Sequence, residues 1–355
     1  MCPERSEKGH AAEDRPHGAS PRRRTRIARL LLHSIGLVLF AVLVAYFWPG
    51  IRKTWTQIRW DVLAWSCVLF PVLMAFKAER FRLLAREVAG SMSYRYAYIV
   101  FLASYFIGVI TPGRVGEFAK VHYLMKEGGV SASRALRPAL VDRLFDLLCL
   151  LVVASAGWVL VGLQNIGGMS PAKVAAFAML AIVVVAGPLW ARPPIRALAG
   201  IRAFGKRWPR LMAWLDDTLA VFYTRVGGIC ALLTAVSYAI GFYQMLIIGR
   251  SIGIDQISYA AMCVITATIS LAMLLPVSVS GFGTREAAAI LLMGQMYGIP
   301  KEQAISFSLL CFGVVNVFGG LVGLVCWLLM PLYHGKGFRE SLGEIRAEFE
   351  DTKSR

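Results

Sequence analysis

The stretch Phe106-Ile107-Gly108-Val109-Ile110-Thr111-Pro112-Gly113-Arg114-Val115-Gly116-Glu117 decides how this chain folds. It closes an apolar run over about 96–111, shorter than the roughly 20 residues a membrane-crossing helix needs. Pro112 removes a backbone donor, and Gly113 and Gly116 admit turn conformations, so the helix stops there. Flanking charge then dictates a reversal. The segment 77–95 carries Lys77, Arg80, Arg82, Arg86 and Arg95 and reads as a cytoplasmic loop, because Lys and Arg gather on that side. The connection 162–171 has no Lys or Arg and reads as external. The apolar helix 136–161 must therefore run from inside to outside, which is impossible if 96–111 crosses fully. The consistent reading is a re-entrant hairpin that enters from the cytoplasm and returns through 115–126. Irregular backbone at that depth survives only where protein or water satisfies it. Arg114 and Glu117, three apart, can pair on one helical face.

Working outward, the composition agrees. Of 355 residues, 57% are hydrophobic, with a mean hydropathy of +0.60, too few polar residues to cover a soluble protein of this size. Apolar segments fall at about 28–48, 61–76, 96–111, 136–161, 172–190, 227–249, 259–276, 284–298 and 303–332. The class is an all-α polytopic membrane protein, with about 6–8 transmembrane helices plus two re-entrant helical hairpins in an inverted repeat. Residues 1–26 are polar and read as a disordered, basic cytoplasmic tail. The run after Arg22-Arg23-Arg24-Thr25-Arg26 is too long for a signal peptide and ends in Tyr46-Phe47-Trp48-Pro49, an uncleaved anchor. The membrane domain spans 27–332, with halves of about 61–190 and 227–332 joined by a basic cytoplasmic segment, 191–226; a cytoplasmic tail covers 333–355. The net charge of +17 reads as topology or as contact with anionic headgroups. No soluble domain presents it to nucleic acid.

A second break mirrors the first: Leu275-Pro276-Val277-Ser278-Val279-Ser280-Gly281-Phe282-Gly283-Thr284-Arg285-Glu286. Again an apolar run meets Pro276, then Gly281 and Gly283, then Arg285 and Glu286. The span 227–249 leads outward, so this hairpin enters from the outside. Broken segments at matching places in two halves point to a transporter's binding site. Two ordinary spans over 259–276 and 284–298 also satisfy the topology.

The helix 136–161 opens with Asp142, Arg143 and Asp146, the two carboxylates four apart on one face. They pair with Arg114 or Arg285 inside the protein, or form an interfacial cluster that holds helix depth. Asp216-Asp217 reads as solvated surface, with Mg²⁺-phosphate binding as the sharper alternative. Gly319 and Gly323 form a G-x-x-x-G packing face. The seven cysteines include no C-x-x-C pair, and the five histidines have no metal-ligand spacing. No nucleophile elbow, P-loop or dinucleotide fingerprint occurs, so no metal, cofactor or enzymatic activity is expected.

The strings Pro112 to Glu117, Asp142-Arg143 with Asp146, and Ser280 to Glu286 resemble the membrane domain of lysylphosphatidylglycerol synthases, a flippase-like domain that also occurs alone. The resemblance covers roughly 30–332 and implies movement of a lipid between leaflets. The substrate-binding residues it implies are Arg114, Glu117, Asp142, Arg143, Asp146, Arg285 and Glu286. Pro112, Gly113, Gly116, Pro276, Gly281 and Gly283 would be turns or hinges. The chain ends about 20 residues after the last span, so synthesis of an aminoacylated lipid is not implied. The expected partners are membrane lipids: an anionic or aminoacylated phospholipid, a glycolipid or a hopanoid-type lipid. An accessory role beside an envelope-lipid biosynthetic enzyme is the alternative. The resemblance places the chain in a bacterial inner membrane, with both termini cytoplasmic. Two departures stand out: Asp142 where the family commonly has Glu, and Thr111 near a frequent Asn.

Overall fold

A computed structural model describes residues 45–163, 208–273 and 283–333. The expectations for the tail 1–26, the first apolar run up to residue 44, the span 172–190, residues 191–207, Pro276, Gly281 and the tail from 334 lie outside the described residues. Among the described residues every regular element is helical. In order they are α1 (45–56), α2 (Trp60–Ala89), α3 (Tyr94–Ile110), a 3₁₀ segment (Pro112–Phe118), α4 (Ala119–Gly128) and α5 (Ala132–Leu163). Then come α6 (Trp208–Ala220), α7 (Arg225–Ser251), α8 (Tyr259–Ala272), α9 (Thr284–Tyr297) and α10 (Lys301–Cys311), which continues through a π-helix (Phe312–Phe318) into α11 (Gly319–Tyr333). Four helices are long and apolar enough to cross a membrane: α2, α5, α7 and the α10–α11 rod. With the shorter apolar helices α3 and α8, they make this an all-helical, polytopic membrane protein.

The axis of the fold is the antiparallel pair of α2 and α7. Contacts step up one helix and down the other. The Arg59 N–H donates to the Ser251 carbonyl (2.9 Å), Gln244 Nε2 to the Ser66 carbonyl (2.6 Å), and Arg80 Nη1 to Thr234 Oγ1 (2.7 Å). In an apolar medium a polar side chain must find its partner on another helix or on backbone, so these contacts fix the register of the pair. The α11 helix approaches α2 and α3 through its glycines. Gly319 lies under the Phe70 ring, and Gly323 lies against the Leu102 carbonyl and Phe106, the close backbone approach that small residues permit.

Two stretches begin and end at the same end of the bundle. The α3 helix starts five residues after Ala89, and Gly128 at the end of α4 packs back on Ala89. At the opposite end, Ile254, Ile257 and Met262 at the start of α8 share one core cluster with Met293 and Ile299 at the end of α9.

One expectation needs correction. The segment 77–95 is not a loop: α2 continues unbroken to Ala89, and Arg80 within it is wholly buried. The charges of Lys77 and Arg80 are spent on partners inside the protein, while Arg86 and Arg95 stay exposed. The α2 helix is also about 45 Å long by its rise of 1.5 Å per residue, longer than the 61–76 segment.

Candidate functional site

The first break is a compact turn. Thr111 caps α3, and its hydroxyl donates to the Ile107 carbonyl (2.9 Å) and accepts the Gly116 N–H (2.8 Å). This closes the reversal with one side chain, the work a polar residue is needed for. Gly116 is required by space: a Cβ there would collide with the Ile107 carbonyl. Left-handed backbone falls on a non-glycine residue, Arg114, with φ of 55°. An L-residue there costs about 1–2 kcal/mol, so the surroundings must hold it. The guanidinium lies 5.2 Å from the Tyr105 ring centroid, and Nη2 donates to Tyr105 Oη (3.2 Å) and Asn316 Oδ1 (3.1 Å). The expected pair with Glu117 is loose, at 3.6 Å.

Glu117 is held more closely by Arg143, at 2.7 Å, and with that contact the turn joins a buried charge group. Arg80 sends Nε and Nη2 to Asp142 Oδ1 (2.9 and 2.7 Å) and Nη2 also to Asp146 Oδ1 (2.9 Å). Lys120 Nζ donates to Asp142 Oδ2 (2.6 Å), and Lys77 Nζ to Asp146 Oδ1 (3.2 Å). Arg143 also reaches Asp142 Oδ2 (3.2 Å). The two lysines lie over aromatic faces, Lys120 between Phe81 and Phe101 and Lys77 over Tyr238, which offsets part of their lost hydration. Five cations (Lys77, Arg80, Arg114, Lys120, Arg143) meet three carboxylates (Glu117, Asp142, Asp146), an excess of two positive charges. Buried charge is tolerated in a membrane when paired or used, and here the pairing is incomplete.

A cavity of about 180 Å³ opens beside this group, with Lys77, Arg114, Glu117 and Arg143 on its wall. The apolar part comes from α2, α3 and α7 with Val315, and Thr266 and Ser270 of α8 also line it. Two buried atoms of the wall, Arg143 Nε and Thr266 Oγ1, have no hydrogen-bond partner among the described residues. The Arg114 side chain is 45% exposed, against 0% for Arg80. Arg114 is the most exposed of the wall's cations, ahead of Arg143 at 35%, and Arg80 is shut away from solvent.

The second motif forms its own buried group. Glu286, at the third position of α9, accepts the Gly283 N–H (2.7 Å) and caps the helix. Gly283 has φ of 81°, a conformation suited to glycine. Arg285 bonds Glu286 (2.7 Å) and Ser308 (2.6 Å), and lies over the Phe312 ring. The two motifs differ in their partners. They are joined by the last rod: Ser308 and Phe312 hold Arg285, while Val315 accepts from Tyr105 Oη (2.7 Å) and Asn316 holds Arg114.

The structure thus brings together Arg114, Glu117, Asp142, Arg143 and Asp146 and leaves Arg285 and Glu286 as a separate pair. Asp142 and Asp146 are buried, and instead of the expected Arg114 or Arg285 they pair with Arg80, Lys77, Lys120 and Arg143. The sequence pattern does not single out Lys77, Arg80 or Lys120: the first two read as loop charge, and Lys120 falls in the return arm. The signal available was spacing, since Lys77 and Arg80 are three apart on one helical face next to an apolar run. Asp217 pairs with Arg137 (3.1 Å) at the surface and is not positioned as a metal ligand.

Fold and site together define a polytopic helical membrane protein with a small, positively charged internal cavity at a broken helix. The family model described as "Lysylphosphatidylglycerol synthase TM region" matches residues 33–323, and the chain belongs to that family. No match to a curated protein accompanies it.

Proposed function

We propose that the protein is a lipid translocase that passes an anionic phospholipid headgroup through the cavity beside Arg114. The observation that carries this reading is the excess of two positive charges around a cavity whose most exposed cation is Arg114. A phosphodiester would supply the missing negative charge, with Arg114 and the unpartnered Nε of Arg143 as its donors. The space equals roughly six waters' volume, enough for a headgroup phosphate, with the acyl chains left in the bilayer. In this reading 94–128 and 259–297 are re-entrant hairpins from opposite faces, related as an inverted repeat. The return of Gly128 to Ala89 and the shared cluster of Met262 with Met293 support it. Motion of one half against the other would expose the cavity to each leaflet in turn. The membrane is a bacterial inner membrane, with the Ala89 end of the bundle cytoplasmic.

The test is reconstitution into liposomes with fluorescent phosphatidylglycerol and a membrane-impermeant quencher. Wild-type protein should expose label from the inner leaflet, Arg114→Gln should abolish this, and Glu286→Gln should slow it. Equal quenching in protein-free and protein-containing liposomes refutes translocation. Normal rates in both variants refute the site.

A further inference from the structure

A second feature lies at the opposite end of the bundle, where α2 begins and α7 ends. The two helices line an open groove there of about 580 Å³. Its rim carries Arg59, Arg250 and Asp255. All three are exposed, and none makes a side-chain hydrogen bond or ion pair to a described residue. The position of the rim is fixed from below: the Arg59 N–H bonds the Ser251 carbonyl, and the turn at Gly253 (φ 79°) carries the chain on to Asp255. Beneath the rim the walls are apolar. Trp65 and Leu69 follow Arg59 down one face of α2, and Tyr243 and Ile247 precede Arg250 on α7. From Arg59 to Leu69 the groove runs about 15 Å at the helical rise of 1.5 Å per residue. Half a bilayer's hydrocarbon core has about that depth.

The groove therefore has the layout of one leaflet in miniature, cationic at the surface and apolar below. Arg59 and Arg80 are separated by about 30 Å along α2, the thickness of the hydrocarbon core. The groove and the Arg80 charge group thus address opposite leaflets. Two guanidiniums against one carboxylate leave one positive charge at headgroup level, where guanidinium forks suit phosphate oxygens. The exposed Trp65 and Tyr243 supply broad apolar faces for a chain lying along the helices.

We propose that this groove binds one phospholipid with an anionic headgroup from the leaflet opposite the Arg80 charge group, its phosphate between Arg59 and Arg250 and one acyl chain along Trp65, Leu69 and Ile247. The site does not depend on translocation. It would hold lipid in a protein that moves none.

The test is native mass spectrometry of the full chain in detergent, titrated with phosphatidylglycerol. Wild-type protein should bind at least two equivalents. Arg59→Gln/Arg250→Gln should weaken one of them about tenfold or more, and Arg114→Gln should leave that one intact. Diacylglycerol, which lacks the phosphate, should bind without sensitivity to the double substitution, and glycerophosphate, which lacks the chains, should not compete. Unchanged occupancy in the double variant overturns the proposal, and so does competition by glycerophosphate, which would mark an anion site only. Should the double variant fail to fold, a photoactivatable phosphatidylglycerol on wild-type protein decides. Adducts within 59–69 and 243–250 support the site, and adducts confined elsewhere overturn it. Loss of the other equivalent alone in Arg114→Gln bears on the cavity and not on this groove.

Discussion

Asp142→Asn tests whether the buried charges act as one unit. The carboxylate is wholly buried and takes four contacts: Arg80 Nε and Nη2 on Oδ1, and Lys120 Nζ and Arg143 Nη2 on Oδ2. An amide can keep its oxygen toward Arg80. Its NH₂ then faces Lys120 at 2.6 Å and Arg143 at 3.2 Å, donor against donor. Two bonds to charged groups are lost, at about 1.5–3 kcal/mol each, so about 3–6 kcal/mol in all. Breaking one partner out of a buried pair costs about 3–5 kcal/mol, in agreement. For a chain this long, about 2–4 °C per kcal/mol turns that into a fall in Tm of roughly 10 °C. Thermal unfolding of detergent-purified protein, followed by size-exclusion chromatography, reads it. Lys120→Met removes one of the two stranded donors. The double variant should therefore lose less than the sum of the single losses, by about 0.5–3 kcal/mol. A Tm for Asp142→Asn within about 2 °C of wild type refutes the reasoning, as does strict additivity in the double variant.

Gly116→Ala places a methyl against the Ile107 carbonyl and Thr111 Oγ1. Neither can yield without opening the turn, so a cost of about 1–3 kcal/mol is expected as a lower Tm. Gly323→Ala should destabilise by a similar amount, because its Cβ meets the Leu102 carbonyl, whereas Gly320→Ala meets only Val109 at 3.7 Å and should melt like wild type. Equal Tm values for these two variants refute the packing account of α11 on α3. Asn316→Ala removes one acceptor from the half-exposed Arg114. Its stability cost should stay below about 1 kcal/mol while lipid movement in liposomes slows several-fold, and an unchanged rate shows that Arg114 needs no such support.

Much of the fold was legible because membrane helices announce themselves by length and apolarity. The break at Pro112 was legible because the apolar run before it is short and Pro and Gly follow it. What stayed hidden depends on helix phase. Arg80 and Arg82 differ by two positions; the first is wholly buried and the second pairs with Glu79 at the surface. Composition counts them alike, and only the direction each faces on α2, about 200° apart at 100° per residue, separates buried partner from surface charge. The left-handed conformation at Arg114 was equally hidden, since backbone propensity assigns it to the neighbouring Gly113. Tertiary contacts to Tyr105 and Asn316 override that local preference.

The π-helix gives those contacts their meaning. Ser308 serves the second motif and Asn316 the first, eight residues apart on one rod. Eight α-helical residues turn about 800°, which overshoots two full turns by about 80°. An unbroken α-helix would therefore aim Asn316 well away from the face that carries Ser308. The wider turns of the π-helix over Phe312–Phe318 rotate less per residue and remove part of that overshoot. The same irregularity lets the Val315 carbonyl accept from Tyr105 Oη, because the backbone bonding of a π segment departs from the regular ladder. One rod thus holds Arg285 and Arg114 at once, and any change in its helical state at 312–318 would turn Asn316 away from Arg114. Coupling between the two halves then needs no direct contact between the motifs, only a span whose phase both of them read.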